Sequence, residues 1–352
     1  MSDKAVTIYD IAKKTNFSAV TVHRALSNKG RISEKTKALI LQTAEEMGYS
    51  PNPAAQGLRR NAINIGAILF CPIDDYVDDI ISGIKQSGSE LKKYNVTVDI
   101  QKIPYTSNRI CLGQMCEYIE EYIHKKYDGI IIFASSLLEE LSELSAILKT
   151  ANENNISIAT VANDLPIQNK IIHVGVNAFT AGMTAAELLE FSCKGKEVAV
   201  LTTGKSSPIN SEYIDGFISY SKNSVFSSVK IYEHFDDKDK ISEITERMLL
   251  ENPDLRGVYI TSASSVLACK CIEQKNRSDL SIITTDLLSE TPVFLRNHTA
   301  NATIFQNPFK QGKTVTRAIY NYITSKRGEG THLINPHIIL SSNLDSYLFE
   351  KK

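Results

Sequence analysis

From residue 63 to the end of the chain, short apolar runs alternate with amphipathic stretches of helical period. That switch between periods of two and 3.6 residues restricts the fold more than any other feature. The strand-like runs are Asn64–Phe70, Val96–Ile103, Gly129–Ala134, Ile156–Val161, Ile171–Val174, Glu197–Leu201, Val229–Glu233, Gly257–Ile260, Ser281–Thr284 and Ala302–Phe305. Helical patterns fall between them, at Asp79–Tyr94, Leu112–Lys125, Ala178–Ser192, Glu212–Lys222, Lys240–Glu251 and Pro308–Thr324. Strand-helix alternation predicts parallel, doubly wound sheets, and this many units predict two of them. About 290 residues suffice for two lobes with real cores.

Residues 6–60 read differently. Thr7 is placed to cap a helix that carries Ile8, Ile11 and Ala12 on one side, with Asp10 as the capping-box acid. Asn16 and Phe17 make a turn, and Ser18 caps a second helix with Val22, Ala25 and Leu26 inward and Ala19, Val20, His23 and Arg24 outside. Two helices across so short a turn form a helix-turn-helix. Ser33 caps a third helix with Ile40, Ala44 and Met47 inward, and Gly48 supplies a left-handed stop. Asn52 and Pro53 open a fourth pattern, PAAQGLRR, too short to be a stable helix alone, so a plain linker stays open.

A three-helix bundle without a ligand would need no particular charge. Here residues 1–62 hold ten Lys or Arg against five Asp or Glu, and the remainder holds 29 against 35. A basic head on an acidic body is the footprint of phosphate binding by the head alone.

Enzyme motifs are absent. TTGKSS at 202–207 contains Gly-Lys-Ser, but a phosphate loop needs glycine at 199, where Ala199 stands. There is no G-x-G-x-x-G after a first strand, no G-x-S-x-G elbow, and no metal-ligand spacing among seven histidines or six cysteines. The thiols read as reduced, the N-terminus lacks a signal peptide and no apolar run is long enough to span a membrane. A cytoplasmic protein with no catalytic residues, metal or cofactor is expected.

The segments VTIYDIAKKTNFS, Thr21–Leu26 (TVHRAL), RIS-x-x-T at Arg31–Thr36 and GYSPNPAAQGLRR resemble the lactose-repressor (LacI/GalR) family of bacterial transcription regulators, and the resemblance covers nearly the whole chain. His23 stands where that family usually has Ser. The resemblance implies a sequence-specific DNA-binding regulator, a repressor, acting as a homodimer on a palindromic operator in double-stranded DNA. It implies that Ala19, Val20 and Arg24 face base edges in the major groove, with Arg24 able to fork onto guanine. Ser18, Thr21, Lys29, Arg31 and Lys37 are then phosphate contacts, which carry no sequence information. Asn52, Ala55, Leu58 and Arg59 become a hinge helix in the minor groove, with Leu58 the wedge.

The resemblance extends to periplasmic-binding-protein-like lobes around an effector cleft. It implies a helix-turn-helix domain over 1–51, a hinge helix and linker over 52–62, and an effector-binding body over 63–352. The N-lobe is expected over about 63–162 and 290–326, and the C-lobe over about 163–289 and 327–352. Loops after strands put Asp74, Tyr76, Ser135, Ser136, Asn163, Asp164, Asn177, Phe179, Ser262, Asp286 and Gln306 at the cleft. Asp286 is the expected ligand-facing acid. Asp164 either lines the cleft or holds the crossover between lobes, and Tyr76 either stacks on a sugar ring or joins the core. Tyr213 stands where the family usually has an arginine fork, which Tyr cannot replace. Carbohydrate is the expected effector class; a non-sugar metabolite or a protein corepressor remains open. No leucine heptads follow YLFEKK, so no tetramer by C-terminal coiled coil is expected.

Overall fold

The computed structural model describes residues 6–27, 32–47, 49, 62–134, 141–205, 207–222, 225–234, 238–261 and 265–350. Two compact units meet in sequence near residue 62. The expected stop at Gly48, the phosphate candidates Lys29 and Arg31, the whole hinge segment and the cleft candidates Ser135, Ser136 and Ser262 lie outside the described residues.

The first unit holds α1 (Ile8–Thr15), α2 (Ala19–Ser27) and α3 (Glu34–Glu46). Each start is explained by its cap. The Thr7 hydroxyl accepts from the Asp10 amide at 3.3 Å while the Asp10 carboxylate accepts from the Thr7 amide at 2.8 Å. Ser18 and Ser33 accept in the same way from Thr21 and Thr36, at 3.1 and 3.2 Å. Asn16 ends α1 in the left-handed region at φ 57°. Ile11, Val22, Ala25, Ile40 and Ala44 form a small apolar core, with Ile8, Leu26 and Met47 against it. So few buried side chains leave the caps a large share of the stability, about 1 kcal/mol each.

Along the second unit run β1 (Ile63–Phe70), α4 (Asp74–Leu91), β2 (Val96–Lys102), α5 (Asn108–His124), β3 (Gly129–Ala134), α6 (Leu141–Glu153), β4 (Ser157–Val161) and β5 (Ile172–Val176). Then come α7 (Ala178–Cys193), β6 (Glu197–Thr202), α8 (Pro208–Ser221), β7 (Ser228–Glu233), α9 (Lys238–Glu251), β8 (Leu255–Ile260), α10 (Ser265–Gln274) and β9 (Ser281–Thr285). The chain closes with α11 (Thr291–Arg296), β10 (Ala302–Phe305), α12 (Pro308–Ser325), β11 (Gly330–Ile334), β12 (His337–Ile339) and α13 (Leu344–Glu350).

These strands build two six-stranded sheets, ordered β11-β5-β4-β3-β1-β2 and β12-β10-β9-β8-β6-β7. Every pairing is parallel except β10 with β12. Central strands are apolar along their length because helices cover both faces of a parallel sheet; β3 is buried at all six positions.

Sheet membership corrects the expected lobe boundaries. β5 pairs with β4 and β11, so the chain stays in the N-lobe until about Asn177 instead of leaving near 162. β10 pairs with β9 in the C-lobe sheet, which moves the return from 290 to about Gln306. β11, an unexpected strand, belongs to the N-lobe sheet and β12 to the other, so the last exchange falls at 335–336 instead of 326. A parallel strand is placed by its sheet neighbours, and a strand's own residues do not name those neighbours.

Each lobe contains one close helix crossing. An added Cβ at Gly182 on α7 would lie 2.0 Å from the Tyr213 carbonyl oxygen, and one at Gly216 on α8 would lie 2.0 Å from that of Phe179. In the N-lobe, Gly83 on α4 and Gly312 on α12 stand in the same relation to Phe309 and Ile80, at 2.0 and 2.1 Å. Backbone-to-backbone packing this tight admits only glycine, and it sets where α4 and α8, the helices that begin at the cleft, can lie. No described helix is long and apolar enough to cross a membrane.

Candidate functional site

On the head, α2 presents Val20, His23 and Arg24 to solvent while Val22 and Ala25 face the core. Val20 is 60 % exposed. Ala19 and Thr21 are half-buried, Ser18 and Thr21 are tied together at 2.9 Å, and Lys37 is half-buried on α3. The described base-reading candidates therefore share the outer side of one short helix. Its first turn carries no acid, so nothing there repels a phosphate.

Between the two sheets of the second unit lies a cavity of about 500 Å³. It opens at the carboxyl ends of β1, β3, β4, β6, β8 and β9, where a doubly wound fold leaves room for a ligand. Asp74, Tyr76, Asn163, Tyr213, Asp286 and Gln306 all line it. Asp74 and Tyr76 do so from the first turn of α4, which starts at Asp74 and not, as the periodicity suggested, at Asp79.

Asp286 is the centre of a buried polar network. It follows β9 in the left-handed region, at φ 70°, and is 6 % exposed. The Gln306 side-chain amide donates to its carboxylate at 2.7 Å and the Gln306 backbone N–H at 3.4 Å. Gln306 in turn accepts from the Tyr76 hydroxyl at 3.3 Å, and Gln311 Nε2 donates to the Tyr76 oxygen at 3.2 Å and to the Gln306 carbonyl at 2.9 Å. Gln306 sits where the chain passes between lobes, so one side chain joins the C-lobe acid to the N-lobe phenol. Burial, then the Asp286 charge, holds the Tyr76 phenol well above its ordinary pKa, so it stays protonated and donates.

A second bridge joins the lobes at the rim. The Ser289 backbone N–H donates to the Asp75 carboxylate at 2.9 Å. Asp74 instead pairs with Lys102 at 2.8 Å.

Tyr213 fills the position expected to lack an arginine. It is 2 % exposed beneath the cavity, and its hydroxyl has no hydrogen-bond partner among the described residues. The ring packs edge-on to Tyr259 at 6.4 Å.

Asp164 does not line the cavity. It forms an ion pair with Lys170 and lies 3.6 Å from His173, in a smaller adjoining cavity of about 300 Å³ beside β5 and β11. Both partners lie in the same β4–β5 stretch, so these contacts tie that loop within the N-lobe. Burial drives the His173 pKa down to about 4, with Lys170 adding to and Asp164 opposing the shift. Asn177 and Phe179 are also outside the cavity: Asn177 caps α7 through the Thr180 amide at 3.0 Å, and Phe179 packs its backbone against Gly216.

The reading of residues missed Asp75, Asn210, Thr261 and Glu290, all in the lining. Thr261 donates to Thr202 at 2.8 Å and to Asn210 at 3.4 Å, joining β6, β8 and α8. The signal for Thr261 was available, since it directly follows the apolar run of β8. Among the described residues no cluster of His, Cys, Asp or Glu is placed to hold a metal ion.

Residues 7–52 match the lacI family of bacterial regulatory proteins, and residues 65–327 match the periplasmic binding protein domain. The chain belongs to the LacI/GalR family. It is 25 % identical to the transcriptional regulator pepR1 of Lactobacillus delbrueckii subsp. lactis over 97 % of this chain and 98 % of the relative. It is 25 % identical to catabolite control protein A of Priestia megaterium over 70 % of this chain and 75 % of that one. In fold, the body is similar to GanP, a glucose-galactose binding protein from Geobacillus stearothermophilus, at TM-score 0.69 and 22 % identity, covering 81 % of this chain and 99 % of GanP. A LacI-type regulator from Bacteroides fragilis matches at TM-score 0.68 and 17 % identity, over 82 % of this chain and all of that one. This LacI-family member is a DNA-binding transcription regulator and not an enzyme.

Proposed function

We propose that this regulator represses by binding a palindromic operator as a homodimer in the cytoplasm, and that a carbohydrate held between the lobes changes its operator affinity. No cofactor beyond that effector is required. The cavity between the lobes carries the reading: its polar floor of Asp286, Gln306 and Tyr76 spans both lobes and offers buried acceptors to hydroxyl groups. A carboxylate accepts two hydrogen bonds, which suits neighbouring hydroxyls, and the Tyr76 ring offers a face to a sugar. GanP and a solute-binding protein in complex with D-arabinose share the fold, which supports the effector class.

The mechanism is linkage. A ligand that contacts Asp286 from one side and Tyr76 from the other stabilises one lobe arrangement over another. Operator affinity then changes by no more than the ligand's differential affinity for the two arrangements. The two-fold symmetry of a dimer calls for paired helix-turn-helix half-sites.

A thermal-shift screen of sugars and related metabolites tests this reading. A ligand at 100 times its dissociation constant stabilises by about 2.7 kcal/mol. Asp286→Ala should retain effector-free operator binding in a gel-shift assay and lose the effector's influence on it. Effector affinity unchanged in that variant would move the binding site elsewhere, and a ligand-independent melt with a protein-dependent operator shift would replace the small molecule with a protein corepressor.

A further inference from the structure

The inference drawn here rests on the reading of the interlobe cavity as a site for a polyhydroxylated effector and concerns its charge. Among the described residues, four carboxyl side chains line the cavity, Asp74, Asp75, Asp286 and Glu290, and no Lys, Arg or His does so. Two are neutralised from outside: Lys102 reaches Asp74 at 2.8 Å and Lys270 reaches Glu290 at 2.6 Å. Asp75 accepts from the Ser289 backbone N–H, and Asp286 accepts from the backbone and side-chain N–H groups of Gln306. The segments 135–140, 206 and 262–264, which follow the strands at the cavity, contain no basic residue in sequence. The adjoining cavity has the same sign. Glu212 lines it, with a carboxyl raised above its ordinary pKa by partial desolvation, Asp164 and Asp215, and buried His173 is held neutral beside it.

An independent observation shows that the cavity is built for a ligand. The hydroxyls of Tyr213 and Ser207 line it, are at least nine-tenths buried and have no partner among the described residues. Buried hydroxyls are ordinarily satisfied, so both await a partner that enters the cavity.

We propose that the cavity selects its effector by charge: it takes a polyhydroxylated molecule bearing a protonated amine, an amino sugar in the simplest case, in preference to the neutral parent, and it excludes phosphorylated and carboxylated sugars. An anion placed beside the buried Asp286 carboxylate meets like charge at low dielectric, with no cation among the described lining residues to offset it. A neutral sugar donates ordinary hydrogen bonds to Asp286. An ammonium donates charge-assisted ones, roughly twice as strong, and gains further from the faces of Tyr76 and Phe133, whose ring centroids are 5.9 Å apart.

The test is calorimetry on the full chain at neutral pH with two matched sets: glucosamine, glucose and glucose 6-phosphate, and galactosamine, galactose and galacturonate. In at least one set the amine should bind about tenfold more tightly than its neutral parent, with no heat from the anion. Raising the pH above the amine's own pKa should bring its affinity down to that of the parent, a measurement that needs no variant. Asp286→Asn should narrow the same gap. A neutral sugar that binds as well as its amine, or an anion that binds at all, overturns charge selection and leaves the carbohydrate reading intact. Silence from all six overturns the carbohydrate reading, and this inference with it.

Discussion

Tyr213→Phe should make the ligand-free protein more stable and the ligand bind more weakly. The Tyr213 hydroxyl is out of water, 2 % exposed as a residue, and has no partner among the described residues. Burial, followed by Tyr259 and Asp286, holds the phenol well above its ordinary pKa, so the group is a neutral O–H. A desolvated, unsatisfied hydroxyl costs about 1–3 kcal/mol, and phenylalanine removes that cost while keeping the ring against Tyr259. A gain of about 1–2 kcal/mol in a body of about 290 residues, with an unfolding entropy of about 2.1 cal/mol/K per residue, corresponds to a Tm rise of about 2–3 °C. In the ligand complex the sign reverses. The hydroxyl then gains a partner worth about 0.5–1.5 kcal/mol net, so the variant should bind an effector from the screen about two- to twelve-fold more weakly. Thermal melts with and without effector, together with calorimetry, measure both halves. A variant that melts lower than wild type would show that the hydroxyl is already satisfied. One that melts higher but binds equally well would show that the ligand never reaches it.

Arg24→Ala should relax operator specificity, since a bidentate guanine contact discriminates by about 1–3 kcal/mol; an equal loss on every single-base variant of the operator would make Arg24 a phosphate contact. Gly182→Ala should lower stability despite the better helix propensity of alanine, because its Cβ would fall 2.0 Å from the Tyr213 carbonyl oxygen and overpacking costs about 1–3 kcal/mol or more. Denaturant melts read that loss directly. His173 is held neutral in the fold, at about 4 against an ordinary 6.5, so protonation favours unfolding. Stability is complete above pH 6.5 and falls as the pH drops from there through 4, by up to roughly 3 kcal/mol from this one group. Urea melts across that window should show a shallower slope for His173→Gln.

How much of this was legible depended on whether a residue's role is local. The helix starts at Thr7, Ser18 and Ser33 were readable because a cap and its partner lie three residues apart. β1 was readable because INIGAILF is apolar along its length, as a strand covered on both faces must be. β11 was not, since Gly330, Thr331 and Leu333 among its first four residues are exposed at the sheet edge and the stretch carries no such run. Asp74, Tyr76 and Asp286 could be placed at the cavity because each follows a recognisable strand. The Asp75–Ser289 bridge spans 214 positions, and the Gln306–Tyr76 bond spans 230. Only the packing of the two lobes brings such pairs together.

The Asp75–Ser289 bridge has an asymmetric genetics. Its acceptor is a side chain but its donor is a backbone N–H, so every residue at 289 except proline retains the bond, while any residue at 75 without a carboxylate or a comparable acceptor abolishes it. Among alleles that lose this bridge, a saturation screen should therefore return many at codon 75 and, at codon 289, proline alone.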